Sequence, residues 1–240
     1  MRSVLFALLL LPAACAANPD GLSARPGLTV GSAALKSGIP SVALSIARRQ
    51  LATDPRNVSA LLIEGSALQE MGDTQTAQAS FRRALAISPT SETAQFALGR
   101  LLVSDGHAAE AESLFRKVLQ TTPGDPRAAT DLGIALDLQG RHAQAQKSYE
   151  MALAAAPEMQ AARVNLGLSY ALGGEPDRAV AILRPLASDP GASSKIRQDM
   201  ALALAVSGDR DDAEQLLRRD LSAKQVSVAM AGYMQLGDSN

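Results

Sequence analysis

The chain has 240 residues, 47% of them hydrophobic, with 23 basic and 24 acidic side chains and a formal net charge of -1. That length and apolar content can bury a sizeable core. A charge so near zero excludes a binder of nucleic acid or anionic membrane that works by bulk electrostatics. The 3% aromatic content without Trp offers no stacking platform for bases, and the single Cys excludes an intrachain disulfide.

Residues 1–17 read as an export signal. Arg2 supplies a positive start, and Val4 to Leu11 is an unbroken apolar run too short to span a bilayer. Small residues follow, and the only cysteine, Cys15, stands directly behind Ala13-Ala14. This arrangement resembles the lipobox of bacterial lipoproteins, with Pro12 where that motif usually has Leu. The resemblance implies that Cys15 becomes a lipidated N-terminus. Ala16 in place of Asp favours the outer membrane, facing the periplasm. A plain secretory signal cut at Ala14-Cys15-Ala16, giving a soluble periplasmic protein, is the alternative. Residues 18–27 (NPDGLSARPG) read as a short flexible linker.

From Ala24 a 34-residue pattern recurs without insertion, with units starting at 24, 58, 92, 126, 160 and 194 and the array running to 227. A fixed period of this length marks a stacked array rather than one globular core. The eighth residue of each unit is small (Gly31, Gly65, Gly99, Gly133, Gly167, Ala201) and the twentieth is Ala (Ala43, Ala77, Ala111, Ala145, Ala179, Ala213). Small side chains there are expected to let the two helices of a hairpin cross closely. The twenty-fourth residue is large in later units (Phe81, Phe115, Tyr149, Leu183, Leu217) and is expected to fill the space between successive hairpins. It shrinks to Ala47 in the first unit, which reads as an imperfect cap.

Gly38, Gly72, Gly106, Gly140, Gly174 and Gly208 stand where the first helix of each unit must turn. Pro55, Pro89, Pro123 and Pro157 stop the second helices, and Pro190 does so in the fifth unit. Gln225 in the corresponding place predicts that the last second helix runs on. Residues 228–240 are then assigned to a capping helix and tail that cover the open end. These spacings and residue types resemble the tetratricopeptide repeat (TPR). The resemblance implies an all-α, right-handed solenoid of about six helix-turn-helix repeats plus a C-terminal capping helix.

The sequence holds no phosphate-binding Gly loop, HExxH, GxSxG or paired Cys, so no catalytic residue, metal ligand or cofactor is assigned and the protein reads as a non-enzyme. His107 and His142 read as solvated turn residues at the starts of second helices. Asp73, Asp209, Asp211 and Asp212 read as caps and first-turn charges. On each first helix, positions 4, 7, 8 and 11 are expected to pack inward, and positions 2, 5, 9 and 12 form a separate stripe. By resemblance to TPR proteins, that stripe lines the groove where protein segments bind. The candidate groove residues are Leu62, Phe96, Arg100, Ile134, Val164, Asn165, Leu168 and Leu202, mostly apolar, with Arg100 an isolated charge and Phe96 the best candidate for exposure. The Lys and Asn of carboxylate-clamping TPRs are missing, Asn165 being the one clamp-like residue. The equal alternative is that these apolar residues widen the core.

The C-terminal stretch, Leu186-Ala187, then Ile196 to Leu202, Gly208-Asp209 and Arg218 to Ser222, resembles the TadD family of the tight-adherence (Flp) pilus system. That resemblance implies a TPR lipoprotein scaffold whose partners are proteins of a pilus secretion apparatus, with no small-molecule substrate and no nucleic acid. A TPR adaptor in polysaccharide export and a pilotin for another secretin remain open beside it.

Overall fold

In the computed structural model, residues 26–237 are described, and every regular element among them is an α-helix. They pair as α1 (Pro26–Lys36) with α2 (Pro40–Thr53), α3 (Val58–Glu70) with α4 (Thr74–Ile87), and α5 (Glu92–Ser104) with α6 (Ala108–Thr121). Next come α7 (Pro126–Asp137) with α8 (His142–Ala155), α9 (Gln160–Leu172) with α10 (Pro176–Ser188), and α11 (Ser194–Ser207) with α12 (Arg210–Leu217). The last element is α13 (Ala223–Gly237). Each helix packs on its sequence neighbours, and successive first helices also touch one another, as a solenoid requires. Residues 1–25, which include Cys15, and 238–240 lie outside the described residues.

Local chemistry sets the boundaries. Asn57, Asp73, Ser91, Asp125 and Ser193 each accept a backbone N–H of the first turn behind them, satisfying a donor the helix leaves free. Asp209 makes no such bond. All six turn glycines adopt positive φ, from 68° at Gly38 to 100° at Gly208. This left-handed turn lets the next N–H reach back five residues, as from Asp73 to the Leu68 carbonyl at 2.9 Å and from Asp209 to Leu204 at 2.8 Å.

The small eighth residue makes room for one particular side chain of the second helix. A methyl group on Gly65, Gly99 or Gly133 would sit within 2.4–2.7 Å of the ring of Phe81, Phe115 or Tyr149, and one on Gly167 within 2.6 Å of Leu183. The large twenty-fourth side chain therefore lies on the glycine of its own hairpin. Gly31, whose partner position is Ala47, would meet only Ile46 and Ile63 at 3.4–3.5 Å.

The last hairpin departs from expectation. α12 has eight residues and ends at Leu217, and α13 begins at Ala223. The Gln225 side-chain oxygen accepts both the Ser222 N–H at 3.0 Å and its hydroxyl at 2.7 Å. Gln225 thus serves as the third residue of a helix start rather than letting the previous helix continue. Among the described residues no helix is long and apolar enough to cross a membrane.

Candidate functional site

The candidate stripe runs along the first helices α3, α5, α7, α9 and α11. Leu62, Phe96, Ile134, Asn165 and Leu168 are half-buried, Arg100 is exposed, and Val164 and Leu202 are buried at 8% and 7% exposure. The row is therefore graded. Leu62, Phe96 and Ile134 lean on the core while presenting part of their surface, whereas Val164 and Leu202 offer little to a partner.

Along this stripe lies a surface pocket of about 360 Å³ on α3, α5 and α7, lined by Phe96 together with Gln69, Glu92, Arg100 and Arg127. Phe96 is tilted against Phe115 with centroids 6.2 Å apart, and the Arg127 guanidinium lies 5.0 Å from the Phe96 ring centre. Arg127 belongs to the same stripe by position, a signal the sequence carried but the choice of residues passed over.

Arg100 is not an isolated charge. Its Nε donates to Asp131 Oδ2 on α7 at 2.7 Å. Burial pushes the Asp131 carboxyl above its usual range even with Arg100 against it. Asp125 is displaced the other way: burial raises it, but the bonds from Arg127 and from the Ala128 and Arg127 backbone N–H groups outweigh that and hold it low. Both arginines are thus already paired, so the pocket sets Phe96 among neutralised charges and is no anion trap.

The turn histidines divide. His107 is exposed, but His142 Nδ1 lies 2.9 Å from Asp137 Oδ1. That carboxylate also accepts the Tyr149 hydroxyl at 2.9 Å and the Ser169 hydroxyl at 2.7 Å. The cluster ties α7, α8 and α9 together. Ser169 is fully buried and donates to the carboxylate rather than to the imidazole, so the arrangement is no nucleophile–base pair. Burial, and then the neighbouring Asp137, push the Tyr149 hydroxyl far above its ordinary range, so it stays protonated and donating. No group of acidic, His or Cys side chains suited to a metal ion occurs among the described residues.

A polar ladder between hairpins was missed. The twenty-first residue is Gln78, Glu112 and Gln146 in three consecutive units, and all three are buried. Gln78 bonds Asp105, Glu112 accepts Gln139 at 2.8 Å and Arg141 at 2.7 Å, and Gln146 reaches the Ser169 carbonyl at 3.4 Å. The sequence signal was a polar type held in register directly behind the buried alanines Ala77, Ala111 and Ala145.

The family model of the cytochrome c-type biogenesis protein H TPR domain matches residues 32–164, more than half the chain, and a tetratricopeptide-repeat model matches 160–185 and 199–219. The chain belongs to this TPR family. Its repeats resemble solved TPR structures. PilF of Pseudomonas aeruginosa has a TM-score of 0.70 at 20% identity, covering 86% of this chain and 96% of that one. MamA from Desulfovibrio magneticus RS-1 has a TM-score of 0.62 at 21% identity, covering 70% and 93%. Another MamA structure has a TM-score of 0.59 at 25% identity, covering 64% and 90%. No curated protein matches the chain. As a TPR array, the protein has the architecture of a protein–protein interaction scaffold.

Proposed function

We propose that this TPR protein is a non-catalytic adaptor of the bacterial cell envelope that assists assembly or localisation of a Flp-type pilus secretion apparatus. In this reading the partner lays an apolar helix or extended segment along the first-helix stripe. The observation that carries it is the line of half-exposed apolar side chains, Phe96, Ile134 and Leu168, on three consecutive first helices. A helix-in-groove contact draws most of its affinity from a few such anchors.

Phe96→Ala combined with Leu168→Ala abolishes capture of the wild-type partner set in a pull-down, while circular dichroism keeps its helical signature. Because Phe96 also touches Phe115, a modest drop in melting temperature accompanies the loss. Capture by the wild type survives about 0.5 M salt, where the Debye length is well under about 8 Å, because screening weakens charge pairs and leaves apolar burial intact. A double mutant that recovers the same partners, or capture that collapses with salt, rejects the groove.

The pilus assignment rests on the C-terminal resemblance to the TadD family, and the envelope location on Cys15. Cys15→Ser releases the protein from membranes and ends fatty-acid labelling, because each acyl CH₂ contributes about 0.8 kcal/mol of partition. Label that persists on the Cys15→Ser chain rejects lipidation there. A second reading, assistance to cytochrome c-type biogenesis, draws on the family model matched over 32–164. Identifying the captured proteins as pilus-apparatus or cytochrome-biogenesis components decides between the two.

A further inference from the structure

We propose that copies of this chain stack head to tail, the open face of α1 and α2 in one copy seating on α13 of the next. The seventh residue of the second to sixth units is Glu64, Leu98, Leu132, Leu166 and Met200, and every one is buried, Leu98 at 2% exposure. The first unit has Val30 in that place, and Val30 is 55% exposed. The tenth residue behaves alike: Ala67, Leu101, Ala135, Ser169 and Ala203 are buried, and Ala33 is exposed.

Two further positions look toward the preceding hairpin. Arg141, a sixteenth residue, reaches back to Glu112, and Glu110, a nineteenth, pairs with Arg82 at 3.3 Å. The first unit carries Ile39 and Val42 there, 48% and 44% exposed. Among the described residues α1 and α2 have no hairpin before them, and they present apolar side chains at positions that are polar inside the array. A terminal repeat meant for water has a polar outer face.

The other end is similar. α13 packs mainly on α11 rather than α12, with Val226 and Met230 buried and the Tyr233 hydroxyl donating to the Gln198 carbonyl at 3.4 Å. Its outer side carries Val228 and Leu236, and no charged residue occurs from Gln225 to Gly237. Five of the eight large exposed apolar side chains among the described residues therefore sit at the two ends. Such clustering marks a contact surface rather than the scattered apolar residues of an ordinary surface.

A second copy is the occupant that fits both ends at once. Neither set of apolar residues includes a charge that docking would strand, and a net charge of -1 gives little repulsion between copies. Head-to-tail contact also continues the hairpin-on-hairpin packing that the chain repeats within itself. Because the two faces differ, the contact is heterologous, and a stack keeps one free end of each kind to which a further copy can add.

The test uses the full chain in detergent micelles, half of it tagged, with the photo-crosslinking residue p-benzoylphenylalanine in place of Val30. The expected adduct joins position 30 to residues 223–237 of a differently tagged copy. An adduct within the same polypeptide, to α1 or α2 of another copy, or to another protein, or no adduct at all, overturns the proposal. Sedimentation gives a second measure. The wild type forms larger species as concentration rises, V30D and V228D each sediment as single copies, and their equimolar mixture forms pairs through the one intact joint. A wild type that stays a single copy, or a mixture that does not pair, overturns it. Both sites are exposed, so circular dichroism of the variants matches wild type. Should either variant fail to fold, the position of the crosslink decides.

Discussion

Replacing Gly133 with leucine lowers the melting temperature by roughly 2–12 °C, measured by circular dichroism. The first atom of any side chain there would stand 2.4 Å from Tyr149 Cε1 and 2.6 Å from its Cζ. The ring cannot swing aside freely, because its hydroxyl is held by Asp137 at 2.9 Å and the residue is 1% exposed. Overpacking of this kind costs about 1–3 kcal/mol, and about 2–4 °C accompanies each kcal/mol in a chain of this size. Two controls separate this cause from general fragility. Leu138→Ala, at a side chain 58% exposed, stays within about 0.5 kcal/mol of wild type. Gly31→Ala is neutral or stabilising, because its new methyl group has room beside Ile46 and Ile63 and alanine favours the helix by about 1 kcal/mol. Equal stability of Gly133→Leu and wild type would remove the ring-on-glycine joint from the account.

Glu112→Ala destabilises the joint between α6 and α7 by about 1–3 kcal/mol, because Gln139 and Arg141 lose a buried acceptor. The figure stays at the scale of a hydrogen-bonded group because Arg116 and Arg141 are 50% and 35% exposed and solvent screens them. The pH dependence has a definite sign. Burial alone would raise the Glu112 pKa, but the bonds from Gln139 and Arg141 and the charges of Arg116 and Arg141 outweigh it and hold the pKa below the ordinary carboxylate value. A depressed folded-state pKa contributes stability that is complete above about pH 4.3 and is lost as pH falls through the folded value. In urea titrations the gap between wild type and Glu112→Gln therefore shrinks on acidification below that pH. A gap that stays constant or widens shows that the carboxylate is not the source.

The turn glycines, the capping residues and the 34-residue period were legible in the sequence because each answers a local demand. A left-handed turn selects glycine, a helix start selects a side-chain acceptor, and a repeated hairpin repeats both. Those demands determine the order and length of most helices without reference to anything distant. What they leave undecided is where a side chain goes once its helix has a neighbour. Phe81, Phe115 and Tyr149 were recognisable as large core residues, but only the packed hairpin puts their rings on the glycines of their own units. Arg100 was recognisable as a charge on the stripe, but its pairing with Asp131 joins residues 31 positions apart on different helices. Leu202 and Phe96 share a stripe by sequence, yet one is buried and the other faces a pocket. Val30 follows the same logic. By sequence it is one more apolar residue at a core position, and only the packed structure shows it exposed where its counterparts in later units are buried. Helix boundaries follow from local backbone chemistry, whereas exposure and pairing are set by which surfaces meet across the solenoid.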